Sequence, residues 1–162
     1  MKKINVSFEL HTFASLEALP HGDKNLMEKA IGARKGAYAP YSNFQVGAAV
    51  LLRNGAVVIG SNQENASYPS GLCAERVAIF QAGALYPGEP VVSLAISAAS
   101  AEYTVTEAIA PCGSCRQSIS EYEVRQASPI SILFMGETGV VFKCGSVADL
   151  LPLAFKNSHL KG

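Results

Sequence analysis

Hydrophobic and polar positions follow two different periods along the chain. Near its start, apolar residues occupy every second position, which predicts a half-buried strand. These residues are Ile4, Val6, Phe8 and Leu10. After His21 to Asp23 the apolar spacing changes to that of one helix face, which predicts a helix of about four turns. The residues on that face are Leu26, Ala30, Ala33 and Ala37.

The pattern in the rest of the chain predicts an α/β layered structure. Residues 44–52 form an almost continuous apolar run, and Asn54-Gly55 predicts a tight hairpin to a return strand over residues 56–60. The further predicted helices are residues 73–84, 111–122 and 146–151, and the further predicted strands are residues 91–97, 130–135 and 139–143. Strands that alternate with helices are typical of a sheet covered by helices.

The composition favours one compact domain that associates with other subunits. The chain has 162 residues, a usual size for a single domain. Its 13 Lys and Arg residues balance 13 Asp and Glu residues, so it lacks the basic excess of proteins that bind polynucleotides. Only 16% of the residues are charged, whereas 49% are hydrophobic. A neutral, apolar surface of this kind favours contacts between subunits.

No segment of the sequence has the pattern of a membrane span or a secretion signal. The longest stretch without a formal charge, residues 36–52, is interrupted by Pro40, Ser42, Asn43 and Gln45. Polar residues also interrupt the start of the chain, where a signal peptide would be continuously apolar. The sequence therefore predicts a cytoplasmic protein with reduced cysteines, and metal binding explains those cysteines better than disulfides do.

Three of the four cysteines belong to two short motifs that suit a metal ion. Cys73 opens the sequence Cys-Ala-Glu, and Cys112 and Cys115 belong to Pro-Cys-Gly-Ser-Cys. Three thiolates form a soft ligand set that favours zinc, and the lack of an obvious fourth ligand favours an open, catalytic site. Cys144 lies alone at the end of a predicted strand and is predicted to be a core residue. Two other hypotheses stay open: a structural zinc, or three ordinary buried cysteines.

Both motifs lie at predicted helix starts, so the two helices are expected to point at one metal ion. Cys112 and Cys115 are three positions apart and share a face of their helix. The positive end of each helix dipole stabilises thiolates and lowers their pKa. Zinc with three thiolates keeps one net negative charge, which Arg76 is placed to offset. Glu75 is expected beside the metal, where a carboxylate can transfer protons.

With further segments, these motifs give the chain a close resemblance to the small, homotetrameric cytidine deaminases of pyrimidine salvage. The matching segments are YAPYSNFQVGAAVL (38–51), NQENASYPSGLCAER (62–76), PCGSCRQ (111–117) and DLLPLAF (149–155). The resemblance implies a three-layer α/β/α fold around a mixed five-stranded sheet. Residues 21–162 are then the zinc-dependent deaminase domain, and residues 1–20 are an N-terminal extension with an extra strand packed on that domain.

The resemblance also implies roles for the residues of the metal site. Cys73, Cys112 and Cys115 match the ligands of one zinc ion per chain. Glu75 matches the residue that moves protons from the attacking water to N3 of the base and then to the leaving amine. The backbone N–H of Ala74 matches the contact to O2 of the base.

Other matching residues belong to the substrate pocket. Asn62 and Glu64 match residues that bind the ribose 3′-hydroxyl, and Phe44 matches a wall of the pyrimidine pocket. Tyr68 lies in the same substrate loop. Phe155 matches an aromatic residue that a neighbouring subunit contributes, which implies a homotetramer with shared active sites.

The function implied by the resemblance is hydrolytic deamination of free cytidine and deoxycytidine to uridine and deoxyuridine, with release of ammonia. One alternative is the same chemistry on a nucleotide such as CMP or dCMP, or on an antibiotic nucleoside. Another is a non-catalytic, zinc-stabilised oligomeric module, which the presence of Glu75 disfavours. The neutral charge disfavours a polynucleotide substrate. We therefore expect a small nucleoside as the substrate, and neither nucleic acid nor a membrane as a partner.

Overall fold

A six-stranded mixed sheet forms the centre of the computed structural model, which describes residues 1–160. Its strands are β1 (His11–Phe13), β2 (Phe44–Leu52), β3 (Val57–Ser61), β4 (Val91–Ser100), β5 (Ser131–Met135) and β6 (Val141–Cys144). Their order in the sheet is β1-β6-β5-β4-β2-β3, with β4 and β5 parallel and the other neighbours antiparallel. The strands from β2 to β6 are the mixed five-stranded sheet that the resemblance implies, and β1 is the added N-terminal strand.

Within the described residues, three α-helices cover the two faces of this sheet, which confirms the three-layer fold. They are α1 (His21–Ala33), α2 (Ala74–Leu85) and α3 (Gly113–Gln126). The core between α1 and the sheet includes Leu26, Met27, Ala30, Ala49, Ala95 and Leu133. The core on the opposite face, beneath α2 and α3, includes Ala48, Val50, Ala78, Ile79, Leu94 and Ile119. Successive residues of β2 thus contribute to opposite cores, as the alternation of side chains along a strand requires.

Two glycines allow the helices to lie close to the sheet. A Cβ atom at Gly47 would overlap the carbonyl oxygen of Ala30 in α1. A Cβ atom at Gly60 would lie 2.5 Å from the backbone nitrogen of Ala78 in α2, and real Cβ contacts essentially never fall below 3.0 Å. This contact between β3 and α2 fixes the helix whose N-terminal end carries Cys73.

No helix within residues 1–160 has both the length and the apolar character that crossing a membrane requires.

The N-terminal strand differs from the sequence prediction in its position. The alternating apolar residues predict a strand over residues 4–10, but regular structure begins at His11, and β1 pairs with β6 over three residues. Ile4, Val6 and Phe8 are 79%, 61% and 52% exposed. The prediction was wrong here because alternation makes a strand only where a neighbouring edge accepts its backbone hydrogen bonds, and β6 is a strand of four residues.

Two predicted helices are shorter than the pattern indicates. α1 ends at Ala33, and a 3-10 helix, Arg34–Gly36, follows it, so Ala37 lies beyond both. The predicted helix over residues 146–151 is a 3-10 helix, Val147–Asp149, capped by Ser146. Residues 150–155 continue in turns and irregular structure, and we call them the C-terminal segment. The predicted domain end at residue 162 lies outside the described residues.

Candidate active site

The three predicted metal-binding cysteines lie together at the N-terminal ends of α2 and α3. Cys73 directly precedes α2, Cys112 directly precedes α3, and Cys115 lies in the first turn of α3. The Sγ atom of Cys112 is 3.8 Å from Sγ of Cys73 and 3.6 Å from Sγ of Cys115. All three sulfur atoms lie within 4.8 Å of one another. Helix packing on one face of the sheet therefore assembles a three-sulfur cluster.

The dimensions of this cluster fit a tetrahedral zinc ion. Zn–S bonds of about 2.3 Å at the tetrahedral angle separate two sulfur atoms by about 3.8 Å. Three protein ligands leave one position for water or substrate, as in catalytic zinc sites. Cys144 is separate from the cluster, because it is fully buried in the core beneath α2 and α3. Burial raises the pKa of the Cys144 thiol to about 11, as is typical of an inert core cysteine.

The surroundings of Cys73 favour its thiolate form. A hydrogen bond with Cys115 and the neighbouring guanidinium of Arg76 lower the pKa of Cys73 to about 5. The Nη2 atom of Arg76 lies 3.8 Å from Sγ of Cys73 and 3.4 Å from the carbonyl oxygen of Gly71. The N-terminal ends of α2 and α3 add positive potential at the same place. The cluster thus combines an anionic ligand, Cys73, with positive charge around it.

Glu75 is a buried carboxyl group in the first turn of α2, next to this cluster. Only 5% of its surface is exposed. Burial raises the pKa of Glu75 to about 7, and the negative charge of Cys73 adds to this effect. A hydrogen bond from its own backbone opposes this rise in pKa, as do, more weakly, a hydrogen bond from the Cys115 thiol and the charge of Arg76. A carboxyl group with a pKa near neutrality can both accept and donate a proton in a reaction.

A cavity of about 430 Å³ opens beside Cys73. This volume is in the range of small-molecule sites. Its lining includes Tyr41, Asn62, Glu64, Tyr68, Cys73 and Arg76. The rings of Tyr41 and Tyr68 lie 6.0 Å apart at their centroids, and Tyr68 is 76% exposed. The cavity therefore has aromatic and polar walls and reaches the predicted metal ligand Cys73.

Asn62 and Glu64 both hold the chain segment that leads into β2. The side-chain amide of Asn62 donates to the carbonyl oxygen of Phe44 at 2.9 Å. The carboxylate of Glu64 accepts a hydrogen bond from the hydroxyl of Ser42 and another from the backbone N–H of Tyr41 at 2.8 Å. The hydroxyl of Ser42 and the backbone N–H groups of Tyr41 and Ser42 lower the pKa of Glu64, so this side chain is ionised at neutral pH.

Three other predicted substrate contacts lie outside the lining of the cavity. Phe44 is partly buried at the start of β2. Ala74 is fully buried as the first residue of α2, a position whose backbone N–H has no acceptor within its own helix. Phe155 is 57% exposed in the C-terminal segment. The structure thus brings Asn62, Glu64 and Tyr68 into one cavity and places Phe44, Ala74 and Phe155 outside its lining.

The sequence did not predict several contacts around the site. The hydroxyl of Ser42 accepts a hydrogen bond from the N–H of Phe44 at 3.1 Å as well as donating to Glu64. Glu64 is accessible to water, which can also satisfy its carboxylate, so no signal in the sequence indicates Ser42 as its partner. The side chains of Arg116 and Gln117 donate to backbone carbonyls of distant residues. No sequence pattern indicates which carbonyls these are.

Together these features define a metal-dependent hydrolytic enzyme. The three sulfur atoms supply a metal-binding set with an open position, and such a position can hold the attacking water. The buried carboxyl group can transfer protons, and the adjoining cavity can hold a small organic substrate.

Comparisons with known proteins give the family. Residues 20–129 match the family model described as the cytidine and deoxycytidylate deaminase zinc-binding region. A cytidine deaminase of Halalkalibacterium halodurans is 40% identical over 130 residues, which are 80% of this chain and 91% of the relative. A cytidine deaminase of Sporosarcina psychrophila is 37% identical over 138 residues, which are 85% of this chain and 93% of the relative.

The fold comparison agrees with the sequence comparison. The crystal structure of cytidine deaminase from Burkholderia pseudomallei superposes with a TM-score of 0.67 and 39% identity, covering 85% of this chain and 100% of that one. The chain therefore belongs to the cytidine and deoxycytidylate deaminase family. This membership confirms the predicted fold class, the enzyme class and zinc as the cofactor.

Proposed function

We propose that the protein hydrolyses free cytidine and deoxycytidine to uridine and deoxyuridine and releases ammonia. The observation that carries this proposal is the buried Glu75 beside three thiols at zinc-binding distances, at the edge of a cavity of nucleoside size. A zinc ion bound by these thiols supplies Lewis acidity that makes water nucleophilic at neutral pH. Relatives named cytidine deaminase support the choice of a cytosine nucleoside.

In this proposal Cys73, Cys112 and Cys115 hold one zinc ion per chain. The carboxylate of Glu75 accepts a proton from the attacking water and delivers it to N3 of the base. It then accepts the remaining proton of that water, now on the C4 hydroxyl, and passes it to the leaving amine. Its pKa of about 7 suits both directions of transfer. Arg76 offsets the excess negative charge of the thiolates. The position of its Nη2 atom beside Sγ of Cys73 supports this role.

The nucleoside is held by residues around the cavity. Glu64 and Asn62 accept and donate hydrogen bonds to the ribose 3′-hydroxyl, and the N–H of Ala74 donates to O2 of the base. Phe44 forms a wall of the pyrimidine pocket. Tyr68 covers the opening, where its exposed ring lies across from that of Tyr41.

Free nucleosides are preferred over nucleotides because the substrate loop carries no cation. The loop over residues 62–68 has a single charged residue, Glu64. Recognition of a 5′-phosphate needs Lys, Arg or a helix N-terminus, whereas a carboxylate repels a phosphate. Arg76 is the nearest cation in sequence, and its guanidinium is directed at Cys73.

The active form is a homotetramer in which Phe155 of one subunit closes the site of another. Two observations support this: Phe155 is exposed and lies outside the cavity lining of its own chain, and the net charge is zero. The proposal also places the protein in the cytoplasm, where four free cysteines stay reduced.

The decisive experiment follows the absorbance of the 4-amino pyrimidine after cytidine is mixed with the purified zinc-loaded protein. We expect turnover that a strong chelator abolishes and added zinc restores. We also expect kcat/KM for cytidine to exceed that for CMP by about 10²-fold or more, which corresponds to about 2.7 kcal/mol. Lack of turnover of any cytosine nucleoside would refute the proposal, and equal values for cytidine and CMP would favour a nucleotide deaminase instead.

A further inference from the structure

Arg116 contacts both the metal-binding loop and the C-terminal segment. It directly follows Cys115, and its Nε atom donates to the carbonyl oxygen of Pro111 at 2.7 Å. Its Nη1 atom donates to the carbonyl oxygen of Leu150, also at 2.7 Å. Pro111 directly precedes the metal-binding residue Cys112. One guanidinium therefore connects the peptide next to a zinc ligand with a segment 34 positions further along the chain.

The guanidinium of Arg116 is used for its shape rather than for an ion pair. Within residues 1–160 the single salt bridge joins Lys143 to Asp23, and the hydrogen bonds of the Arg116 side chain go to two backbone carbonyls. Arginine presents several N–H donors in a rigid plane, so one side chain can hold two acceptors in a fixed relation. Lysine has one flexible ammonium and cannot reproduce that geometry.

The backbone of Arg116 binds the same loop. Its N–H donates to the carbonyl oxygen of Cys112 at 2.9 Å, so the two carbonyls that flank the Cα atom of Cys112, those of Pro111 and Cys112, both accept a hydrogen bond from Arg116. Fixing both carbonyls restricts the rotation of the Cys112 backbone and hence the direction of its Sγ atom. Cys112 needs this support because it is exposed and precedes the helix, whereas Cys115 is buried within it.

The next residue extends the connection along the C-terminal segment. The Nε2 atom of Gln117 donates to the carbonyl oxygen of Phe155 at 2.9 Å. Arg116 and Gln117 therefore hold the two ends of this segment, at Leu150 and Phe155. Cys115 and these two side chains are consecutive residues near the N-terminal end of α3.

We propose that Arg116 is a positioning residue that sets the direction of the Cys112 thiol in the metal site and fastens the C-terminal segment to the metal-binding loop. The inference rests on the proposed function only in that the three thiols hold zinc. It concerns the geometry of the ligands and makes no use of the identity of the substrate.

The test compares Arg116→Lys and Arg116→Ala with the wild-type protein, each loaded with zinc. We expect zinc to pass to a chromogenic chelator at least about tenfold faster from both variants, since loss of a residue that orients a metal ligand costs 10–100-fold in affinity. With Co²⁺ in place of zinc, we expect the ligand-field absorption bands of both variants to shift. Arg125→Ala is the matched control, because Arg125 lies on the same helix and packs over the ring of Tyr122. It should release zinc at the wild-type rate.

A purely structural role would give a different result. The melting temperatures of the metal-free and zinc-loaded Arg116 variants would then fall by the same amount, with wild-type release rates and wild-type Co²⁺ bands, and the proposal would be wrong. If Arg116→Ala does not fold, Arg116→Lys decides the question by the same measurements. All these readouts are made without substrate, so a protein that binds zinc but does not deaminate cytidine would refute the proposed function and leave this inference standing.

Discussion

At the scale of single residues, Glu75 carries the strongest functional prediction. Replacing Glu75 with Gln keeps the size of the side chain but removes its ability to accept and donate a proton. We expect Glu75→Gln to fold and bind zinc normally and to lose kcat by the 10²–10⁴-fold that is typical of a general acid–base group. Steady-state kinetics with cytidine, together with the zinc content of each preparation, measure this.

The control for Glu75→Gln is Glu64→Gln, which makes the same substitution at a residue of the cavity wall. We expect that variant mainly to raise KM, because Glu64 is assigned to the sugar rather than to the reacting base. A near-normal kcat in Glu75→Gln would mean that another group transfers the proton.

The four cysteines divide sharply by their surroundings. Cys112→Ala removes one of three clustered sulfur atoms, so we expect it to lose most of its zinc. Cys144→Ala changes a core position away from the cluster, so we expect full zinc content and a modest loss of stability. Metal analysis of the purified variants distinguishes the two. Equal zinc loss in both variants would contradict the assignment of ligands.

The sequence predicts some residues of the site well and others not at all, for a physical reason. Cys112 and Cys115 are three positions apart on one helix, so local geometry alone brings their sulfur atoms together. The contact between Ser42 and Glu64 spans 22 positions, and that between Arg116 and Leu150 spans 34. Such contacts depend on how separate elements pack, and no local period of hydrophobic residues encodes that packing.

At the scale of elements, the contact between α2 and β3 limits what can occupy Gly60. A methyl group there would lie 2.5 Å from the backbone of Ala78, which cannot rotate away. We expect Gly60→Ala to lower the free energy of unfolding by about 1–3 kcal/mol, as overpacking does. Urea titration measures the change.

The matched control is Gly32→Ala, in the last turn of α1, where a Cβ atom meets nothing within 4 Å. Because alanine favours a helix more than glycine does, we expect this variant to gain up to about 1 kcal/mol. If both variants shift stability in the same direction, the close approach of α2 to β3 does not govern the result.

The sequence predicted buried elements more accurately than exposed ones. β2 is confirmed over residues 44–52, since a continuous apolar run needs cover on both faces and has it. The strand predicted over residues 4–10 was wrong: Ile4, Val6 and Phe8 are exposed, and of its apolar residues Leu10 alone packs against the core. The helix predicted over residues 146–151 is a single 3-10 turn, Val147–Asp149, and Arg116 and Gln117 bind the carbonyl oxygens of Leu150 and Phe155 beyond it.

At the scale of the whole molecule, the proposed tetramer with shared sites predicts complementation between two defective variants. Glu75→Gln lacks the proton-transferring group, and Phe155→Ala lacks the aromatic residue that the neighbour contributes. We expect mixed tetramers of the two to regain part of the activity, because some sites then combine an intact Glu75 with an intact Phe155. Activity after mixing and light scattering measure this. A fully active monomer, or mixtures no more active than their components, would contradict shared sites.

The short strand β1 also bears on how the protein behaves in concentrated solution. It pairs with the outer edge of β6 over three residues, so at this end of the sheet, opposite the β3 edge, the exposed strand is too short to template further pairing. Since the net charge is zero and the isoelectric point is about 6.8, charge repulsion gives little protection against aggregation near neutral pH. We expect removal of residues 1–10 to leave turbidity unchanged and removal of residues 1–13, which uncovers β6, to cause precipitation near pH 7. Equal turbidity of the two shortened chains would show that colloidal stability has another source.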